Sequence, residues 1–236
     1  MFKEEILEKY RFNIELHAHT KPASLCSEIV AEDMVKYLVE DGLHGVAITN
    51  HYTIDQFKFP YEEKQKNIER YLKDFHDVKE YAEGKLSVCL GMEIRFAENG
   101  NDYLIYGINE NDVEKAYAYL DKGIAEFYRE FKNNKNIILQ AHPFRNGMIL
   151  ADEKYIDGIE MFNFHSGHNS RNSLAANYMK KNPNKLFVGG TDFHHNHQRG
   201  LAMARFKYLP KNSYELCEAI KSKDFIFTVG DSLILP

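Results

Sequence analysis

The sequence predicts an α/β fold whose mostly parallel sheet is closed, or nearly closed, into a barrel. Short apolar runs alternate with segments of helical period along the chain, the pattern of repeated strand–helix units. Five of those runs end in His, Asp or Glu, and such groups collect at the carboxyl ends of strands in α/β folds. A chain of 236 residues without an internal repeat, low-complexity tract or linker is expected to form a single domain over 1–236. Its apolar share of 44%, with 16 Phe and 15 Tyr, suffices for a sizeable core.

The first strand is expected at Phe12–His19, where apolar and polar residues alternate. A helix from about Ala31 to Asp41 follows, with Met34, Val35, Leu38 and Val39 on one stripe and Gly42 as its stop. Gly45–Thr49 is a buried-strand run leading into Asn50-His51. Tyr61–Glu83 has helical spacing, ended by Gly84. Strands are expected at Leu86–Phe96 and Tyr103–Ile108, joined by an Asn/Gly-rich turn. A helix from about Asp112 to Lys132 leads to the strand Ile137–Ala141, which Pro143 terminates. Gly158–Phe162, a helix near Ser173–Lys181, Leu186–Thr191, a strand near Met203–Tyr208 and a helix capped by Asn212 and Glu215 complete the pattern.

Charge and composition exclude several classes. A net charge of −5 disfavours an extended nucleic-acid surface, which needs clustered Lys and Arg, but leaves room for a small phosphorylated substrate. No run approaches the roughly 18 apolar residues of a membrane span. The first residues carry acids where a secretory signal has apolar ones, so a soluble, cytoplasmic protein is expected. Cys26, Cys89 and Cys217 form neither a disulfide framework nor a CxxC pattern.

His17 and His19 stand two apart on a strand and project from one face, where two imidazoles can chelate one ion. The spacing returns in Asp192-Phe193-His194. His51, Glu93 and His142 follow three intervening apolar runs. Any one of these residues is readily a satisfied polar group. Seven ionisable groups at one mouth need neutralisation, and divalent cations satisfy imidazoles and carboxylates together.

The ordered set His17-Ala18-His19, Thr49-Asn50-His51, Gly91-Met92-Glu93, Ala141-His142-Pro143-Phe144-Arg145 and Thr191-Asp192-Phe193-His194 resembles the PHP (polymerase and histidinol phosphatase) family of metal-dependent phosphoesterases. The resemblance spans His17 to about Leu201. It implies a distorted (β/α)7 barrel with two or three divalent ions, zinc, manganese or iron. By that resemblance Glu93 bridges two ions; His17, His19 and Asp192 complete one, His142 serves a second, and His51 and His194 serve a third. The chain departs from the family pattern near Ala23-Ser24-Leu25-Cys26 and near Asp102-Tyr103-Leu104, where the family often has a further His or Asp. Cys26 and Asp102 either substitute there or are structural. Asn50 replaces the Asp usual before the second-motif His, which removes a carboxylate from that motif.

The reaction so implied is attack of metal-activated water on the phosphorus of a small phosphate monoester or nucleotide, as in a histidinol phosphatase. Glu93, Asp192 and Arg145 would serve catalysis; Arg145, Arg171 and His168 would contact substrate, with Arg145 equally suited to bracing its loop. His165 and His168 are candidate proton donors, and His195, His197 and Arg199 candidate lining groups. Glu160 and Asn163 are expected to orient ligands, and His44 and His76 to be ordinary surface residues. Two other readings remain: an amidohydrolase-type metal hydrolase, and a metal-bound module without catalysis, structural or accessory to a polymerase.

Overall fold

The computed structural model describes residues 2–58 and 64–235. It holds twelve described strands in two six-stranded sheets. One runs in the order β12 (Ser232–Ile234), β11 (Phe225–Val229), β10 (Ala202–Phe206), β1 (Phe12–Ala18), β2 (Gly45–Ile48), β4 (Ser87–Leu90). The other runs β3 (His51–Thr53), β5 (Met92–Arg95), β6 (Asp102–Tyr106), β7 (Ile137–Gln140), β8 (Gly158–Asn163), β9 (Leu186–Gly190). The expectation of a mostly parallel sheet needs correction, because parallel and antiparallel pairings occur in equal number. The antiparallel β6 enters between β5 and β7, and β10–β12 run antiparallel beside β1.

The two sheets are not independent. The single run expected at Leu86–Phe96 breaks at Gly91 into β4 and β5, and the run expected at Gly45–Thr49 forms β2 and is followed after Thr49-Asn50 by β3, a further strand in the other sheet. At the breaks Thr49 N–H donates to Ala18 O at 2.9 Å, Gly91 N–H to Ile48 O at 2.9 Å and Glu93 N–H to Asn50 O at 3.1 Å. A Cβ on Gly91 would stand 2.8 Å from Thr49 Cγ2, so the close approach there suits glycine. At the far side, Ala18 and Phe193 form a parallel bridge, with Phe193 N–H donating to His17 O and His19 N–H to Phe193 O. The end of β9 thus lies beside the end of β1. Gly190 permits this: a Cβ there would meet Glu15 Oε1 at 2.5 Å and His17 Cβ at 2.8 Å.

The helices cover the sheets by the apolar stripes the sequence shows. On α2 (Ala31–Glu40), Met34, Val35 and Leu38 are buried while Val39 is exposed, and Gly42 at φ +74° follows its end. On α4 (Lys64–Ala82), Ile68, Tyr71, Phe75, Val78 and Ala82 are buried. Residues 61–63 of the helix expected from Tyr61 lie outside the described residues. The helix expected over Asp112–Lys132 is two helices, α5 (Glu110–Ala116) and α6 (Ile124–Phe131), separated by a tight turn and by Gly123 at φ +88°. Besides the short helices α1 (Phe2–Lys9) and α3 (Ile54–Lys58), α7 (Asn172–Lys181) and α8 (Ser213–Lys221) complete the set. Asn212 caps α8, accepting from Tyr214 N–H and Glu215 N–H; Glu215 returns its bond to Lys211 N–H, one residue short of a true capping box. Among the described residues no helix is long and apolar enough to cross a membrane.

Candidate metal centre

The seven candidate ligands converge. His17 ends β1 with its ring between three carboxylates: Nδ1 is 2.8 Å from Glu160 Oε1, while Nε2 is 3.3 Å from Glu93 Oε1 and 3.5 Å from Asp192 Oδ1. His19 Nε2 lies 3.4 Å from Glu93 Oε2 and 3.3 Å from Asp192 Oδ1. His51, first residue of β3, sets Nδ1 2.8 Å from Glu93 Oε2, and its Nε2 is 3.4 Å from His194 Nε2. His142 Nε2 is 3.0 Å from Glu93 Oε1. Glu93 therefore presents one oxygen to His17 and His142 and the other to His19 and His51. His142 and Asp192 hold φ of +28° and +53°, a conformation costing of order 1 kcal/mol or more that persists where surroundings enforce it.

Neighbouring groups set which nitrogen of three of the rings faces inward. Glu160 takes His17 Nδ1 with one oxygen, and His142 N–H (2.9 Å) and Asn163 Nδ2 (3.0 Å) with the other. Ser24 Oγ donates to Asn50 Oδ1 at 2.9 Å, so toward His19 Nδ1, at 3.2 Å, it is the acceptor. His194 Nδ1 donates to Asp192 O at 2.8 Å. His17, His19 and His194 are thereby held with Nε2 turned into the cluster, the atom each would offer an ion. Asn50, which the sequence marks as a lost carboxylate, supports the site through its amide oxygen.

The electrostatics follow from burial. Burial works against charge on Glu93, but His17 and His51 overcome it and hold the carboxyl well below its usual range. Asp192 is held low in the same way, against burial, chiefly by the charge of His17. His17 is driven well above the ordinary imidazole range, burial notwithstanding, by Glu160, Asp192 and Glu93. Burial, with His194 and His51 beside it, pushes His19 well below. Even so, His17 Nε2, His19 Nε2, His51 Nδ1 and Glu93 Oε2 are buried without an aligned hydrogen-bond partner. Leaving such atoms unpaired costs about 1–3 kcal/mol each, more where charge is involved.

These orphaned atoms fit a divalent ion. Ligand atoms at about 2.0–2.1 Å from a tetrahedral ion stand about 3.3–3.4 Å apart. His17 Nε2 and His19 Nε2 stand 3.3 to 3.5 Å from Asp192 Oδ1 and from the Glu93 oxygen each faces. Among the described residues three groups of donor atoms lie within reach of a shared ion: His17–His19–Asp192, His19–His51–His194, and Glu93–Asp102–His142.

The remaining candidates divide. Arg145 Nη2 donates to Asp192 Oδ2 at 2.7 Å and to Asn163 Oδ1 at 2.9 Å, which braces a cluster residue from outside. Arg171, exposed, bonds Phe144 O and Asn146 on the loop that carries Arg145. His168 is exposed, with its ring 4.6 Å from that of His165. Arg199 is bound to Asp41 and Glu40, which corrects its reading as a lining group. His197 bonds Ser166, and His195 pairs with Glu28 at 3.4 Å. Burial first, then His194, Arg145 and His168, take His165 down to about 4 although Asp192 opposes them, which favours the neutral ring over the imidazolium a proton donor would need. Glu15 escaped notice in the sequence: buried, it accepts from His17 N–H and from Thr191 Oγ1 at 2.7 Å, tying β1 to β9. Burial, against those bonds, raises it to about 7. Its parity with His17 and His19 on one strand was the available signal.

Comparison with known proteins agrees with this geometry. The chain matches the PHP domain over residues 15–218, and it belongs to that family. No curated protein matches it. Among solved structures it is similar to a two-domain protein from Bacteroides vulgatus containing a predicted PHP-like metal-dependent phosphoesterase. There the TM-score is 0.64 and the identity 16%, over 94% of this chain and 66% of that one, so the chain spans just under two thirds of that longer protein. PsfC from Pseudomonas syringae aligns with TM-score 0.61 at 15% identity, over 92% and 91% of the two chains. An amidohydrolase from Chromobacterium violaceum, with sulfate bound and no metal, aligns with TM-score 0.52 at 12% identity, over 80% and 90%. At such identities these likenesses speak for the fold alone.

Proposed function

We propose that this protein is a metal-dependent phosphoesterase, formed as one PHP-like unit over 1–236, that hydrolyses a small phosphate monoester or nucleotide. The observation that carries this reading is the set of inward-facing, unpartnered donor atoms around Glu93, spaced as ligands of shared ions. The backbone contacts joining β1 to β9 and running across the breaks at Thr49 and Gly91 support a distorted barrel. Divalent ions held by His17, His19, His51, Glu93, His142, Asp192 and His194 would supply positive charge against phosphoryl oxygens and a water acidified to near neutrality.

The chain's own residues do the rest. Glu93 offers an oxygen to each side of the cluster, which suits a bridging ligand. Asp192 turns Oδ1 inward while Arg145 and Asn163 hold Oδ2. Arg145 thus acts first as a positioning residue, and the 13% of its side chain that is exposed is what it could offer a substrate oxygen. Arg171 and His168, exposed on the rim, would touch the non-reacting part of a substrate, if any.

The test is metal analysis of the purified protein combined with a panel of phosphate monoesters and nucleotides. Metal-stimulated release of phosphate is the expected result; no turnover of any phosphoester by metal-replete protein overturns it. A second reading, hydrolysis of amides or lactams, is favoured by the structural likeness to an amidohydrolase. Amide turnover with phosphoesters untouched would establish it instead.

A further inference from the structure

We propose that Asp102 supplies an oxygen ligand to the ion shared by Glu93 and His142, with Arg95 as the residue that aims it. This end of the cluster would then take harder ions than the His17–His19–Asp192 end. The inference rests on reading the cluster as an ion site.

The antiparallel pairing of β5 with β6 sets Arg95 directly opposite Asp102, with Glu93 two residues before Arg95 on the same face. The guanidinium grips the carboxylate as a fork, Nε to Oδ1 at 2.7 Å and Nη2 to Oδ2 at 2.6 Å. From the other side, Ala141 N–H donates to Asp102 O at 2.9 Å, which brings the next residue, His142, against β6. His142 Nε2 ends 3.7 Å from Asp102 Oδ2 and 3.0 Å from Glu93 Oε1. Two atoms bound to one ion at about 2.1 Å lie no more than about 4.2 Å apart, and both separations satisfy that bound.

A salt bridge whose work is only to join two strands has no need of this placement. The Asp102 side chain is 2% exposed, whereas its Arg95 partner is 42% exposed, so the pair leans its carboxylate inward. A carboxylate accepts about four hydrogen bonds, so each Asp102 oxygen keeps a lone pair after the fork is made. Ligating carboxylates commonly carry such an outer partner. The donor set here is two carboxylates and one imidazole, against two imidazoles with Asp192 and Glu93 at the other end. Oxygen-rich sets suit manganese-type ions, and added imidazole shifts preference toward zinc.

Mn(II) binding followed by the loss of the free-ion EPR signal, alongside zinc and manganese stoichiometry of the full-length protein, tests this without an activity assay. For Asp102→Ala and the near-isosteric Asp102→Asn, Mn(II) affinity at one site should fall about 10–100-fold. Asp102→His should keep that ion and move its preference toward zinc. Arg95→Met should weaken Mn(II) binding and Arg95→Lys should restore part of it, which a purely strand-joining role would not do. Wild-type Mn(II) affinity in both Asp102→Ala and Asp102→Asn overturns the proposal and leaves the phosphoesterase reading intact. A wild-type protein that binds no ion removes both.

Discussion

Most of the histidines fall into two groups that differ in everything except residue type. His17, His19, His51, His142 and His194 crowd around Glu93 and Asp192, four of them buried and His51 19% exposed on its side chain. His165, His168, His195 and His197 sit on the rim above them, stacked on one another or bonded to Ser166 and Glu28. In the inner group His17 and His19 each have one nitrogen fixed by an anchor and the other aimed at carboxylates it does not bond, while His194 is fixed through Nδ1 and meets His51 through Nε2. In the rim group the contacts are mutual and solvated. What separates the inner histidines from the rim is burial beside Glu93 and Asp192 and, for His17, His19 and His194, an anchor behind the ring.

The comparison breaks first, if at all, at Glu93. Glu93→Ala should lower phosphoester kcat/KM by at least about 10³-fold, about 4 kcal/mol of transition-state stabilisation, and reduce the bound ions. Circular dichroism should show the fold retained. An active Glu93→Ala enzyme would mean that the inner group is a buried polar network with no catalytic ions. Removal of the ions by a chelator is the next largest effect. Ions at about 100 times their dissociation constant stabilise the folded state by about 2.7 kcal/mol, so stripping them should lower the melting temperature by several degrees. An unchanged melting temperature, with the chelated ions accounted for in solution, would count against binding in the cluster.

The anchors come third. Ser24→Ala frees His19 Nδ1, and Glu160→Gln replaces the charged partner of His17, so each should weaken ion binding about 10–100-fold, measurable by competition with a chromophoric chelator. Wild-type affinity in both would show that the rings hold their orientation without support, and the anchors would drop out of the proposed distinction between inner and rim histidines.

The anchors also mark where the sequence stops being readable. The apolar runs ending in His, Asp or Glu pointed to the residues that gather around Glu93, because strand parity and strand ends are local properties. The family motifs added their order along the chain. Ser24 could not be reached this way: its bond to His19 depends on how the loop after β1 folds back over Asn50, which only tertiary packing decides. The break at Gly91 was hidden because a buried run reads as one strand whether or not it changes sheets, and β3 is too short to stand out beyond the run that ends at Thr49. The helix expected over Asp112–Lys132 failed for a local reason, Gly123, whose positive φ no periodicity reveals. The hairpin of β11 and β12 was legible in principle, since Phe225–Val229 is an apolar run followed by Gly230-Asp231, but it carries no ionisable group to draw attention.

The smallest effects belong to the rim, and they sharpen the comparison by being small. His168→Ala and Arg171→Ala remove side chains that are exposed and whose contacts are with the loop itself: the His165 ring for one, Phe144 O and Asn146 for the other. Substitutions of that kind usually change stability by no more than about 0.5 kcal/mol. The corresponding change in kcat/KM for a small monoester should stay within about threefold, since neither side chain supports an inner ligand. The outcome depends on substrate size in a useful way. If Arg171→Ala leaves a small monoester unaffected but raises KM for a nucleotide, the rim contacts the leaving group and the true substrate is the larger one. If it depresses kcat for both, Arg171 acts through the Arg145 loop on Asp192, and the boundary between the two groups of residues has to be redrawn to include it.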